Sequence, residues 1–129
     1  MADILIVEDD KDLNQAYQMI LQQDGHDVKA AYNGEEALAA ASTKEPELIL
    51  LDLLMPIMGG LEFLKNYDLS KHKKVKVLIF TNMENSPEVN EAYNLGAHRC
   101  IIKSWTAPQN LSHVVTEALN GRLSAANQA

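Results

Sequence analysis

Leu48-Ile49-Leu50-Leu51-Asp52 decides the fold of this chain. Four large aliphatic residues in a row do not alternate as a strand with one wet face must. They read as a strand buried on both faces, and such strands belong to parallel sheets covered by helices. Working outward, Ile4–Val7 is a second run of the same kind, and Val75–Phe80 is a third, interrupted by Lys76 near its start. Val28–Ala31 and Cys100–Ile102 are weaker runs that suit the edges of a sheet.

The segments between these runs carry helical spacing. Leu13, Ala16, Tyr17, Ile20 and Leu21 form one apolar stripe, and Ala37, Leu38 and Ala41 a shorter one. Val89, Ala92, Tyr93 and Gly96 form another, and Leu111, Val114, Val115, Ala118 and Leu119 the last. The stretch after Gly60, with Leu61 and Leu64, is too short to read on pattern alone. Asn33, Ser86 and Thr106 suit helix N-caps, Thr106 with Gln109 as a capping box. Pro87 and Pro108 fall in first turns. Gly25, Gly96 and Gly121 stand where helices should stop. Five strands alternating with helices imply an α/β domain with a parallel sheet and helices on both faces.

Composition narrows the function classes. The chain has 129 residues, a length that suits one domain, and its aromatic content of 5% predicts an aliphatic core. A formal net charge of −7 argues against direct nucleic-acid binding, which needs a basic patch. Cys100 is the sole cysteine, so an internal disulfide is excluded and a reducing, cytoplasmic setting is expected. The opening MADILIVEDD lacks the basic region and apolar length of a signal sequence, and no apolar run reaches membrane-spanning length. The histidines at 26, 72, 98 and 113 show no metal-ligand spacing.

In an open parallel sheet, ligands bind beyond the C-terminal ends of the strands. The first strand runs into Glu8-Asp9-Asp10, the third into Asp52, the fourth into Thr81 and the fifth into Lys103. If the first and third strands are neighbours, carboxylates converge there, and clustered carboxylates repel unless a cation sits among them. An all-oxygen set favours magnesium, and such a site with a hydroxyl and a lysine can accept a phosphoryl group. Each residue has a plainer reading: helix cap for the acids, turn residue for Asp52, strand-end cap for Thr81, solvated surface group for Lys103. Their coincidence at one edge is what argues for chemistry.

Taken together, ILIVEDD at 4–10, LLDLLMPIMGG at 50–60, FTN at 80–82 and GAHRCIIKS at 96–104 resemble the receiver domain of two-component response regulators, over essentially the whole chain. The resemblance to these chemotaxis-regulator-like domains implies a flavodoxin-like sheet of order 2-1-3-4-5, doubly wound with five helices. It implies a receiver domain over 1–121, with 122–129 as a flexible tail. It makes Asp52 the phosphoacceptor, and Asp9, Glu8, Asp52 and the backbone carbonyl of Leu54 the magnesium site. Thr81 and Lys103 would bind the phosphoryl oxygens. The implied donor is a histidine kinase or histidine phosphotransfer protein. The implied output is a protein docking on the face of the fourth helix, fifth strand and fifth helix. Such domains catalyse their own phosphotransfer and slow self-dephosphorylation, and are not metabolic enzymes. No membrane or nucleic-acid partner is expected.

The chain also departs from this pattern. Cys100 stands where relatives carry an aromatic, and Ser104 where they carry proline. Leu54 and Asn82 are unusual neighbours of the acceptor and are expected to crowd an attacking water. Gly59 stands where relatives often have Asp. Trp105, just beyond Lys103, is either a relay for the signal or packing beneath the last helix. These departures keep a phosphorylation-independent pseudo-receiver, acting as an interaction module, as the alternative. An aspartyl phosphohydrolase would want an acid at Leu54, and a flavin carrier would want a phosphate-binding loop where the acidic Glu8–Asp10 stretch lies.

Overall fold

A computed structural model of the chain describes residues 2–82, 86–103 and 110–121. The five apolar runs are strands β1 (Asp3–Val7), β2 (Asp27–Ala31), β3 (Leu48–Leu51), β4 (Lys76–Thr81) and β5 (Arg99–Ile102). They alternate with α1 (Lys11–Gln23), α2 (Gly34–Thr43), α3 (Gly60–Tyr67), α4 (Pro87–Asn94) and α5 (Leu111–Leu119), with a 3₁₀ turn at Leu69–Lys71 before β4. All strand pairings are parallel, and the order is β2-β1-β3-β4-β5. The expected doubly wound, flavodoxin-like topology is therefore present, with the two weaker runs at the edges. Strand β4 starts one residue later than the apolar run, because the Val75 N–H is held by the His72 carbonyl in the preceding turn.

The unbroken run in β3 has a direct structural cause. Leu48 and Leu50 enter a core under α1 and α5, together with Ile4, Ile6, Leu78 and Phe80. Ile49 and Leu51 enter a second core under α2, α3 and α4, together with Val7, Val77, Ile79 and Phe63. Burying one such aliphatic side chain contributes about 1.5–3 kcal/mol, and β3 does so on both faces at every position.

Helix ends follow the capping residues. The Asp10 carboxylate accepts from the Leu13 N–H and starts α1; Asn33 does the same for Glu36 in α2 and Ser86 for Val89 in α4. Thr106, Pro108 and Gln109, expected to open the last helix, lie outside the described residues, as does the expected tail at 122–129. The stretch left unread after Gly60 is α3. Its buried face is Gly60, Phe63, Leu64 and Tyr67, a full helical stripe within eight residues.

Candidate functional site

The parallel ladders continue one step past the strands and so aim the acids. Glu8 N–H donates to the Ala31 carbonyl at 3.1 Å, and Asp52 N–H donates to the Val7 carbonyl at 3.0 Å. Since Val7 pairs with Leu51, Glu8 and Asp52 leave neighbouring strands side by side. One carboxylate oxygen from each of Glu8, Asp9 and Asp52 lies within 4.8 Å of the others. Two oxygens on opposite sides of a magnesium ion are about 4 Å apart, so this cluster needs only a small contraction to share one. Glu8 and Asp52 are buried and Asp9 is exposed, so the cluster opens to water on the Asp9 side.

Lys103 answers this charge. Its Nζ donates to Asp52 Oδ2 at 3.0 Å and also to Glu8 Oε1. Burial by itself lowers the pKa of the Lys103 ammonium, but the bond to Glu8 and the charges of Asp52 and Glu8 outweigh it, so the net shift is upward. For Glu8, burial is the largest influence and raises its pKa. Lys103 and the Asp10 N–H, which donates to Glu8 Oε2 at 3.1 Å, pull it down, the Asp52 charge pushes it up again, and the net shift is upward. The site therefore holds more negative charge than one ammonium neutralises, which is the electrostatic condition that draws in a cation.

The remaining candidates fall as follows. Thr81 ends β4, is fully buried, and lies opposite Ile102 in register, one residue from Lys103. Leu54 N–H donates to Asp52 Oδ1 at 3.4 Å, while its side chain is 63% exposed. Asn82 is exposed at the same edge. Gly60 has no room for a side chain, since a Cβ would overlap the Asp52 carbonyl oxygen. Cys100 is a buried thiol whose pKa burial pushes up to about 11, so it is an inert filler. An aromatic still reaches this point, because the Tyr93 hydroxyl accepts from the Cys100 N–H at 2.8 Å. Ser104 and Trp105 lie outside the described residues.

Two groups escaped the reading of the sequence. Asn14 is fully buried and its Nδ2 donates to the carbonyls of Glu8 at 3.0 Å, Ala31 at 3.2 Å and Ile6 at 3.5 Å. It ties the turn that presents Glu8 and Asp9 to the sheet. The available signal was a polar residue on an apolar stripe, three before Tyr17 and seven before Leu21. Arg99, which opens β5, is 0% exposed, with Glu117 Oε1 3.7 Å from its Nη1. Nothing in its sequence neighbourhood marks it as buried.

Comparison with known proteins agrees with this fold. The family model described as the response regulator receiver domain matches residues 4–116. A transcriptional regulatory protein CpxR homolog of Haemophilus influenzae is 31% identical over 114 residues, 88% of this chain and 49% of that protein. The response regulator ArlR of Staphylococcus saprophyticus is 28% identical over 114 residues, 88% of this chain and 51% of its own length. The chain thus spans about half the length of these curated relatives. Among solved structures, a CheY-like receiver domain protein of Methanospirillum hungatei superposes with a TM-score of 0.85 at 28% identity, covering 92% of this chain and 94% of that one. The chemotaxis response regulator CheY4 of Vibrio cholerae gives 0.81 at 34% identity, covering 91% and 98%. No described helix is long and apolar enough to cross a membrane.

Proposed function

This chain belongs to the response regulator receiver domain family, and from that membership we propose that it is a phosphorylation-driven signalling switch whose acceptor is Asp52. The observation that carries the proposal is the Glu8–Asp9–Asp52 carboxylate cluster held against Lys103 at the C-terminal edge of the sheet. Its donor set suits magnesium, which Asp9, Asp52, Glu8 and the Leu54 backbone carbonyl would hold. The ion would supply charge neutralisation between the carboxylates and the incoming phosphoryl oxygens.

The chain's own residues do the rest. Asp52 attacks the phosphorus of a phosphohistidine or a small acyl phosphate. The new bond joins a carboxylate oxygen to phosphorus, and the bond to the leaving nitrogen or oxygen breaks. Lys103 already donates to the acceptor carboxylate and can pass to a phosphoryl oxygen without leaving the pocket. Thr81, one strand away, offers a hydroxyl to a second phosphoryl oxygen. Exposed Leu54 and Asn82 flank the approach of hydrolytic water and lengthen the life of the phosphorylated state.

A receiver unit over 1–121, a cytoplasmic setting, a histidine kinase or phosphotransfer protein as donor, and a protein partner on the α4-β5-α5 face complete the reading. The intact acid, hydroxyl and lysine set weighs against the pseudo-receiver. The test is incubation with acetyl phosphate and magnesium followed by intact mass. One phosphoryl group should appear on the wild-type chain and none on Asp52→Asn. Full modification of that variant would move the acceptor elsewhere.

A further inference from the structure

Asn14 is fully buried on α1, and its surroundings fix the direction of its amide. Its Nδ2 faces the carbonyls of Glu8 at 3.0 Å, Ala31 at 3.2 Å and Ile6 at 3.5 Å. Carbonyl oxygens only accept, so the amide must turn its nitrogen toward them and its own oxygen away. That oxygen then needs a donor. Gln18, one turn further along α1 and half-buried, supplies it: its Nε2 donates to Asn14 Oδ1 at 2.9 Å.

The turn that Asn14 holds carries the acids. Glu8 is fixed at both backbone ends, its N–H on the Ala31 carbonyl at 3.1 Å and its carbonyl on Asn14 Nδ2. Two residues on, the Asp10 N–H donates to Glu8 Oε2, and the Asp10 carbonyl accepts from the Asn14 N–H at 2.9 Å. Asp9 lies between these anchored residues and is exposed, so the backbone on either side of it aims its carboxylate. The contacts run from Gln18 to Asn14 to the Glu8 carbonyl, and they end at the Glu8–Asp9–Asp52 cluster.

We propose that Gln18 and Asn14 are positioning residues for the magnesium site. Gln18 sets the orientation of the Asn14 amide, and Asn14 holds the Glu8–Asp10 turn ready for the ion. The inference rests on the magnesium reading above. An ion that finds its carboxylates already aimed loses less free energy in ordering them, so the pair raises metal affinity without touching the metal. Gln18→Glu inverts the arrangement by changing one atom. A carboxylate accepts and does not donate, so it draws Asn14 Nδ2 outward and turns Asn14 Oδ1 against the carbonyls. The added negative charge, by its field alone, would strengthen cation binding. Orientation and field act in opposite directions, and the sign of the change tells them apart.

In the experiment, magnesium chloride is titrated into the isotope-labelled chain at constant ionic strength, and the backbone amide shifts give Kd. Gln18→Glu should weaken magnesium binding by about tenfold, the usual scale for a residue that orients a metal ligand from behind. Gln18→Leu, which removes the donor without inverting it, should weaken binding by about threefold. Gln15→Glu adds the same charge at an exposed position of α1 and should leave Kd unchanged or slightly lower. Circular dichroism checks the fold of each variant, and Gln18→Leu carries the test if Gln18→Glu fails to fold. An unchanged or tighter Kd in a folded Gln18 variant overturns the proposal. So does an equal loss in Gln15→Glu, which would trace the effect to charge on α1. Wild-type protein whose Glu8–Asp10 amides do not respond to magnesium would sink the magnesium reading itself.

Discussion

Strand β5 carries a cation at each end, and the two are held in opposite ways. Lys103, just past its C-terminal end, donates to carboxylates from two other strands, Glu8 after β1 and Asp52 after β3. Arg99, at its start, lies under α5 with Glu117 at 3.7 Å, and its Nε, Nη1 and Nη2 find no hydrogen-bond partner among the described residues. Lys103 stands where an ion and water can compete for its partners, so its bonds are exchangeable. Arg99 is sealed in, so its charge is a cost the fold carries with little compensation. A cation over-supplied with acceptors can move between them during a reaction, whereas one under-supplied and sealed can only hold its place.

The largest effect should come from leaving Arg99 without its carboxylate. Glu117→Ala should destabilise the fold by about 2–3 kcal/mol in urea denaturation, because a buried guanidinium loses its counter-charge. Arg99→Met should instead be neutral or raise stability by about 1 kcal/mol, since it fills the same volume with no unpaired donors. In the Arg99→Met background, Glu117→Ala should cost almost nothing. Additive losses in the double variant would show that the pair is not what holds these groups.

Lys103→Met should have the next largest effect, about 2 kcal/mol at neutral pH, by leaving the Glu8 and Asp52 charges to face each other. Magnesium should recover most of that loss, and should raise the unfolding midpoint of this variant more than that of the wild type. A magnesium response equal in both would mean that the ion and the ammonium do not share the same carboxylates.

The smallest effect is in pH. The pKa of Lys103 is raised from 10.5, so its contribution is fully present below that value and fades as pH climbs past it. Cys100, raised from 9.0 to about 11, contributes below pH 9 and loses that contribution as pH rises through about 11. Wild-type stability should therefore fall above pH 9. Cys100→Ala should flatten the curve between pH 9 and 11, and Lys103→Met should flatten the part beyond 10.5. Urea midpoints measured from pH 8 to 11 would check all three curves.

Much of this molecule is legible without coordinates. An unbroken aliphatic run such as Leu48–Leu51 has few homes other than a strand covered on both faces, and the weaker runs had to take the edges. The caps at Asn33 and Ser86 and the stops at Gly25, Gly96 and Gly121, all with positive φ, follow from local backbone chemistry. The placement of the candidate site was legible for the same reason, since Glu8, Asp52 and Lys103 immediately follow strands and Thr81 ends one, and parallel strands bring such positions to one edge. Helix α3 was not legible because eight residues give barely two turns of pattern, and its aromatic positions Phe63 and Tyr67 were needed to complete the stripe.

The sequence by itself determined the element order, the two-faced core and which side chains reach the C-terminal edge, because periodicity and capping act over a few neighbouring residues. Only the tertiary structure decided how those side chains divide the charge. Lys103 meets Glu8 across 95 positions of chain, Asn14 ties together three carbonyls from two strands and a turn, and Arg99 vanishes beneath α5. These contacts depend on register between strands and on which helix covers which face. Those distances are set by the packing of the whole sheet, and no local pattern of residues encodes them.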